Sequence, residues 1–168
     1  LDKVTVEITS VTYTGKKQTP APEITWNGKK LTSSDYSVAY SNNKNVGTAK
    51  VTITFKGDYA ENEKVVKTYT INPKGTTIVK LTPGTEKMTV EIKAQKTETS
   101  GYEIRYSKKK KMKKAKTVKI TNNNTTSATI SKLKKGKKYY VQVRTYKTVD
   151  GKTYYSGWSK KVVKTMLK

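Results

Sequence analysis

The stretch Leu133-Lys134-Lys135-Gly136-Lys137-Lys138-Tyr139-Tyr140-Val141-Gln142-Val143 constrains the fold of this chain more than any other. A lone Leu precedes a Gly turn by three residues, and Tyr139, Val141 and Val143 then recur at period two. That spacing predicts a strand entering a sheet after a tight corner. A Tyr at such a corner buries its ring while its hydroxyl bonds back to the backbone of the incoming loop, the tyrosine corner of β-sandwiches. Leu133, Gly136 and Tyr139 are therefore assigned structural roles.

The same period runs through the rest of the chain. Val4, Val6 and Ile8 alternate with polar residues and predict a first half-buried strand. Thr14–Pro22 holds a Gly and two Pro and reads as loop. Ile24–Trp26, Asn27-Gly28 and Lys29–Leu31 read as a hairpin, because both central residues of a type I′ turn need positive φ. Tyr36, Val38 and Tyr40 alternate next, and Ala49, Val51, Ile53 and Phe55 give the cleanest alternation of all. Val65, Tyr69 and Ile71 suggest a closing strand. No helical period interrupts this order, which indicates a small all-β sandwich.

Within this half, Tyr13-Thr14-Gly15, Asp35–Asn43, Val46–Ile53, Gly57-Asp58-Tyr59 and Tyr69-Thr70-Ile71 follow one another in a recognisable order. In these residues the chain resembles the Ig-like, MBG-type repeats of Gram-positive cell-surface proteins. The resemblance covers most of residues 11–71. It implies an extracellular module of a kind that acts as spacer or adhesive unit. Asn72-Pro73-Lys74-Gly75 follows as a linker: Pro73 pushes the preceding residue out of the α region, and Gly75 loosens what comes next.

The second half supplies Thr77–Leu81, then Met88, Val90, Ile92 and Ala94 on one strand face, then Tyr102, Ile104 and Tyr106. Val118 and Ile120, and Ala128 and Ile130, give two more short strands before the corner. After Tyr146, Asp150-Gly151 closes a hairpin, and Trp158-Ser159 leads into a last strand around Val162–Met166. Seven strands in this order, with Leu, Gly and Tyr at the corner spacing, resemble the fibronectin type III family over residues 75–168. The sequence departs from that family at Met88 and Val90, where many such domains bury a Trp. The expected architecture is all-β: two tandem antiparallel β-sandwich domains, an Ig-like domain over residues 1–72 and a fibronectin type III domain over residues 73–168.

Composition narrows the chemistry. The 168 residues include no Cys and no His. Disulfides and thiolate chemistry are excluded, so each domain rests on its apolar core. Triads that use His cannot be built within this chain. The formal net charge is +24 and is unevenly spread. Residues 1–73 hold 10 basic and 7 acidic residues, a net +3, whereas residues 74–168 hold 26 and 5, a net +21. All but Arg105 and Arg144 of the basic residues are Lys, a hydrated point charge less suited than Arg to bidentate reading of bases. General affinity for polyanions is expected, and sequence-specific nucleic-acid binding is not. No stretch approaches the ~20 apolar residues of a membrane helix, so membrane insertion is not expected. A chain opening at Leu1 without Met is expected to be a fragment or processed form.

Three groups of residues invite a functional reading. Lys108, Lys109, Lys110, Lys111, Lys113 and Lys114 flank Met112 in one run. They read as a loop gripping an anionic polymer such as wall teichoic acid, a sulfated glycan or nucleic acid, or as a solvated loop between strands. No aromatics interleave the run, which argues against single-stranded nucleic acid. Trp26, Trp158, Tyr154 and Tyr155 read either as a platform for sugar rings or as packing, with Trp158 stacked on a cation such as Arg144. Asp58, Glu61 and Glu63 lack the alternating ligand pattern of a calcium loop, and no metal site is assigned. No Gly-rich phosphate loop, cofactor pattern or catalytic set of acid, base and nucleophile is read. The expected function is a non-catalytic spacer or adhesion module of a secreted or wall-associated bacterial protein. Its expected partners are anionic wall polymers or glycans and the other domains of a larger surface protein. The alternative is an adhesin module with a defined glycan or host-protein ligand.

Overall fold

The computed structural model describes residues 3–168. They divide into two compact units, the first ending at Asn72 and the second beginning at Pro73. Both are built from β-strands. Among the described residues the only helical segment is a 3-10 turn at Gly57–Tyr59.

In the first unit, β1 (Val4–Glu7), β3 (Glu23–Trp26) and β4 (Lys29–Lys30) make one sheet, in the order β1-β3-β4. The other sheet has the order β2-β7-β6-β5, from β2 (Val11–Thr12), β5 (Tyr36–Ser41), β6 (Gly47–Phe55) and β7 (Val65–Asn72). Alternation along β6 buries Ala49, Val51, Ile53 and Phe55. Ile24 and Leu31 come from the opposite sheet and its flank to close that core. The Asn27-Gly28 turn has φ of 47° and 81°, the positive values that an Asn-Gly hairpin supplies cheaply. Two tyrosines tie down the Pro-containing loop. The Tyr40 hydroxyl donates to the Pro20 carbonyl at 2.7 Å, and that of Tyr69 to the Gln18 carbonyl at 2.6 Å.

One pair departs from antiparallel geometry. β2 runs parallel to β7, with Val11 opposite Ile71 and Thr12 opposite Asn72. The chain leaves one sheet after Glu7 and joins the other at Val11. Two residues are too short for alternation to register, which is why this strand is invisible in the sequence pattern.

The second unit stacks β8 (Ile78–Pro83), β9 (Met88–Ile92) and β12 (Ser127–Ile130) in the order β12-β9-β8. The facing sheet contains β10 (Gly101–Ser107), β11 (Lys116–Ile120), β13 (Lys138–Val149), β14 (Lys152–Tyr155) and β15 (Val162–Thr165). Its order is β11-β10-β13-β14, and β15 pairs with the other half of β13. Met88, Val90 and Ile92 meet Tyr102, Ile104, Val141 and Val143 in one core, so Met88 and Val90 fill the space by different side chains in the same topology. Two expectations shift: β8 begins at Ile78 and continues to Pro83, and β9 ends at Ile92, leaving Ala94 exposed. Past the Asp150-Gly151 turn the chain forms β14 and then, after Trp158, the expected last strand as β15, which ends at Thr165, one residue before Met166. Asp150 and Gly151 take φ of 48° and 77° at the β13–β14 hairpin.

Candidate anionic-polymer site

At one end of the second unit the corner and the lysine run come together. Leu133 and Tyr139 are buried, and Gly136 turns the chain with φ of 61°. The Tyr139 hydroxyl accepts the Lys134 backbone N–H at 3.1 Å, and the Leu133 N–H donates to the Glu86 carbonyl at 2.9 Å. These bonds fix the loop between β12 and β13. The lysine run forms the loop between β10 and β11, anchored by the buried Ser107. Its hydroxyl donates to the Lys113 carbonyl at 2.8 Å and accepts the Lys109 N–H at 3.1 Å. The Met112 N–H donates to the Lys109 carbonyl at 2.8 Å, tightening the turn.

Between these loops lies a groove of about 360 Å³. Lys108, Lys114 and Lys116 line it from one side and Lys132 and Lys134 from the other. A second concavity of about 430 Å³ is lined by Lys109, Lys110, Lys111, Lys113 and Lys114. A third, of about 390 Å³, is lined by Thr85, Glu86, Lys87, Ser131 and Lys132. All these lysine side chains are exposed. The six lysines of the run therefore form the larger part of the site. Lys87, Lys132 and Lys134 were missed, because they lie on loops that only the sandwich brings beside the run, and Lys116 was missed as the first residue of β11, two residues past it. In the groove, Tyr106 and Tyr139 pack with ring centroids 6.3 Å apart. Burial, with Tyr139 adding to it, pushes the Tyr106 hydroxyl above its usual pKa.

A family model described as the fibronectin type III domain matches residues 72–163, more than half of the chain. The chain belongs to the fibronectin type III family. Solved structures with a similar fold include the fn3 domain of human contactin 1, at 15% identity and a TM-score of 0.49, covering 67% of this chain and 94% of that one. A two-domain fibronectin type III segment from chicken tenascin matches at 13% identity and a TM-score of 0.48, covering 73% of this chain and 67% of that one. No curated protein matches the chain.

On the fibronectin type III domain, Trp158 sits in a stack of rings and cations. The Arg144 guanidinium carbon lies 3.8 Å from the Tyr155 ring centroid and 4.3 Å from that of Trp158, and Arg105 lies 4.2 Å from Trp158. Both arginines are held in place. Arg144 pairs with Glu103 at 2.6 Å, and Arg105 donates twice to the Gln142 side-chain oxygen, at 2.7 and 3.1 Å. Burial, then the like charge of Arg144, lowers the Arg105 pKa against the opposing pull of Glu103. Ser156 and Ser159 accept the backbone N–H groups of Thr145 and Val143, each at 3.0 Å, and so clasp the broken last strand to β13. The Trp158–Arg144 stack is legible in the sequence; Arg105 and Tyr155 complete it only because strand register places them beside it. Trp158 is thus already engaged within the second unit, and Trp26, in the first unit, packs on Phe55 and Tyr59. Tyr154 is buried.

The arginines are therefore committed to the sheet face, and the groove offers lysine alone. Among the described residues no group of three or more metal-ligating side chains converges, and no helix is long and apolar enough to cross a membrane.

Proposed function

We propose that this chain is a non-catalytic structural and adhesion module of a secreted or cell-wall-associated bacterial surface protein, touching anionic wall polymers through the lysine-lined end of its second domain. In this reading the first unit is an Ig-like repeat of the MBG type, and the two domains in series act as a spacer for other domains of the same protein. The observation that carries it is the continuous run of exposed lysines across three adjoining grooves. Fibronectin type III membership supports it, since that fold serves widely as a structural or binding module in surface proteins. Lysine without arginine suits long, flexible polyanions whose charges need no bidentate partner.

The test is a binding isotherm of the full chain on purified Gram-positive wall polymer across a salt series. Binding that weakens linearly in log-log form and vanishes by about 0.5 M salt is expected. Saturable binding that resists salt would favour the defined-ligand adhesin instead. No binding at low salt would end the polymer reading.

A further inference from the structure

Seven non-glycine residues in the described chain have positive φ. Asn27, Asn42 and Asp150 are residue types that tolerate this region well. Glu98, Met112, Lys114 and Lys132 are not. Glu98 is tied to Lys147 by an ion pair of 2.6 Å. The other three all belong to the two loops around the central groove.

Lys114, with φ of 52°, and Lys132, with φ of 59°, have a further property in common. Lys114 lines both the central groove and the concavity of the lysine run. Lys132 lines both the central groove and the concavity beside Lys87. The two lysines with left-handed backbone are thus the two posts between successive compartments. Gly and Asn adopt that backbone more readily than Lys, and this chain uses Asn at such positions elsewhere. What Lys supplies, and Gly or Asn does not, is a charged side chain at each junction.

We propose that the three grooves form one linear track for a polymer carrying repeated phosphate or sulfate esters, with Lys114 and Lys132 as the posts that seat successive oxyanions. This rests on the polymer-binding reading above and adds a path, a register and two key residues to it. The ligand is a linear chain because the compartments follow one another, meeting at Lys114 on one side and at Ser131 and Lys132 on the other. It is not a nucleic acid: stacking is what holds bases, and here Tyr139 is only 6% exposed and Tyr106 packs against it. Glu86, in the compartment beside Lys87, is the one acid lining the track and sets its less favourable end.

The experiment compares the full wild-type chain with Lys114→Gly/Lys132→Gly, with Lys114→Asn/Lys132→Asn, and with a charge-matched control, Lys160→Gln/Lys161→Gln. The probes are a glycerol-phosphate oligomer, a heparin-derived oligosaccharide of equal charge and an oligothymidylate. For both track variants the dissociation constant for the preferred probe should rise about tenfold or more, against less than about threefold for the control. On the glycerol-phosphate probe the log-log salt slope should become shallower by about 1.4, from about 0.7 per lost contact. Both track variants should melt at or above the wild-type temperature, and Glu86→Gln should bind more tightly. Preference between the first two probes distinguishes a phosphate polymer from a sulfated glycan, and either supports the track. Equal losses in the track and control variants would overturn it while leaving general polyanion binding intact. Melting several degrees lower in both track variants would assign the lysines to folding and overturn it too. Tightest binding of oligothymidylate would overturn the ligand class. If no probe binds the wild type, the polymer-binding reading itself fails.

Discussion

Tyr139 shows how much one hydroxyl contributes at the residue scale. Its ring is buried in the second core and its oxygen accepts the Lys134 N–H. Tyr139→Phe keeps the packing and orphans that amide, so it should cost about 1–2 kcal/mol, measured as a shift in urea midpoint at constant m-value. Other tyrosines give the fold an alkaline limit. Burial, with neighbouring groups adding to it, raises the pKa values of Tyr40, Tyr69, Tyr106 and Tyr146. A raised folded pKa means that the neutral hydroxyl stabilises fully below the unfolded value of about 10, and that this stability is lost as pH rises through the folded values. Thermal stability should therefore fall above pH ~10, in step with tyrosinate absorbance. If tyrosinate formed at the ordinary pKa without loss of stability, the burial argument would fail. Asp35 acts at the other end. The Thr32 N–H donates to its carboxylate at 2.6 Å and lowers its pKa, so its contribution is present above the unfolded value and lost as pH falls through the folded one.

At the scale of elements, close approach matters as much as alternation. Gly101 opens β10 where the chain runs against β11, and a Cβ there would lie 2.0 Å from the Ile120 carbonyl oxygen and 2.9 Å from the Tyr146 hydroxyl. Gly101→Ala must displace backbone and should cost at least about 1–3 kcal/mol, read from the denaturant midpoint. The ring-and-cation stack joins β10, β13 and the break before β15. Trp158→Ala removes the ring partner of two guanidiniums at a half-buried position and should cost about 1–2 kcal/mol, read from the denaturant midpoint; no measurable loss would make the stack superficial. The strands that were legible are those long enough for period two to repeat, such as Ala49–Phe55 and Tyr139–Val143. The hairpins were legible because Asn27-Gly28 and Asp150-Gly151 carry positive φ in their residue types. β2 was not, since two residues have no period, nor were the bonds of the serines between β14 and β15, since they depend on hydroxyls reaching across to β13. Six of the ten lysines of the site were legible as a run. Of the other four, Lys116 lies just past the run at the start of β11, while Lys87, Lys132 and Lys134 are distant in sequence and become neighbours through the fold.

At the scale of the whole molecule, each unit has core clusters of its own. Ile53→Ala in the first unit and Met88→Ala in the second remove fully buried side chains, and each should cost about 2–5 kcal/mol. Hydrogen exchange should place the loss of protection from each within its own unit; loss spread evenly over both would contradict separate cores. Charge divides the same way, so salt should alter the stability of the second unit far more than that of the first.

The interrupted final strand has a mechanical consequence. Tension entering at the C-terminus first meets the Leu167 and Met166 N–H bonds to the Gly84 and Lys137 carbonyls, and then β15, whose four residues, Val162–Thr165, pair with Lys138–Val141. Behind them wait the Ser159 and Ser156 clasps, the wedged indole and finally the β14 hairpin. Such a seam tears by stages, each stop absorbing work before the next is loaded, in the manner of a stitched webbing strap.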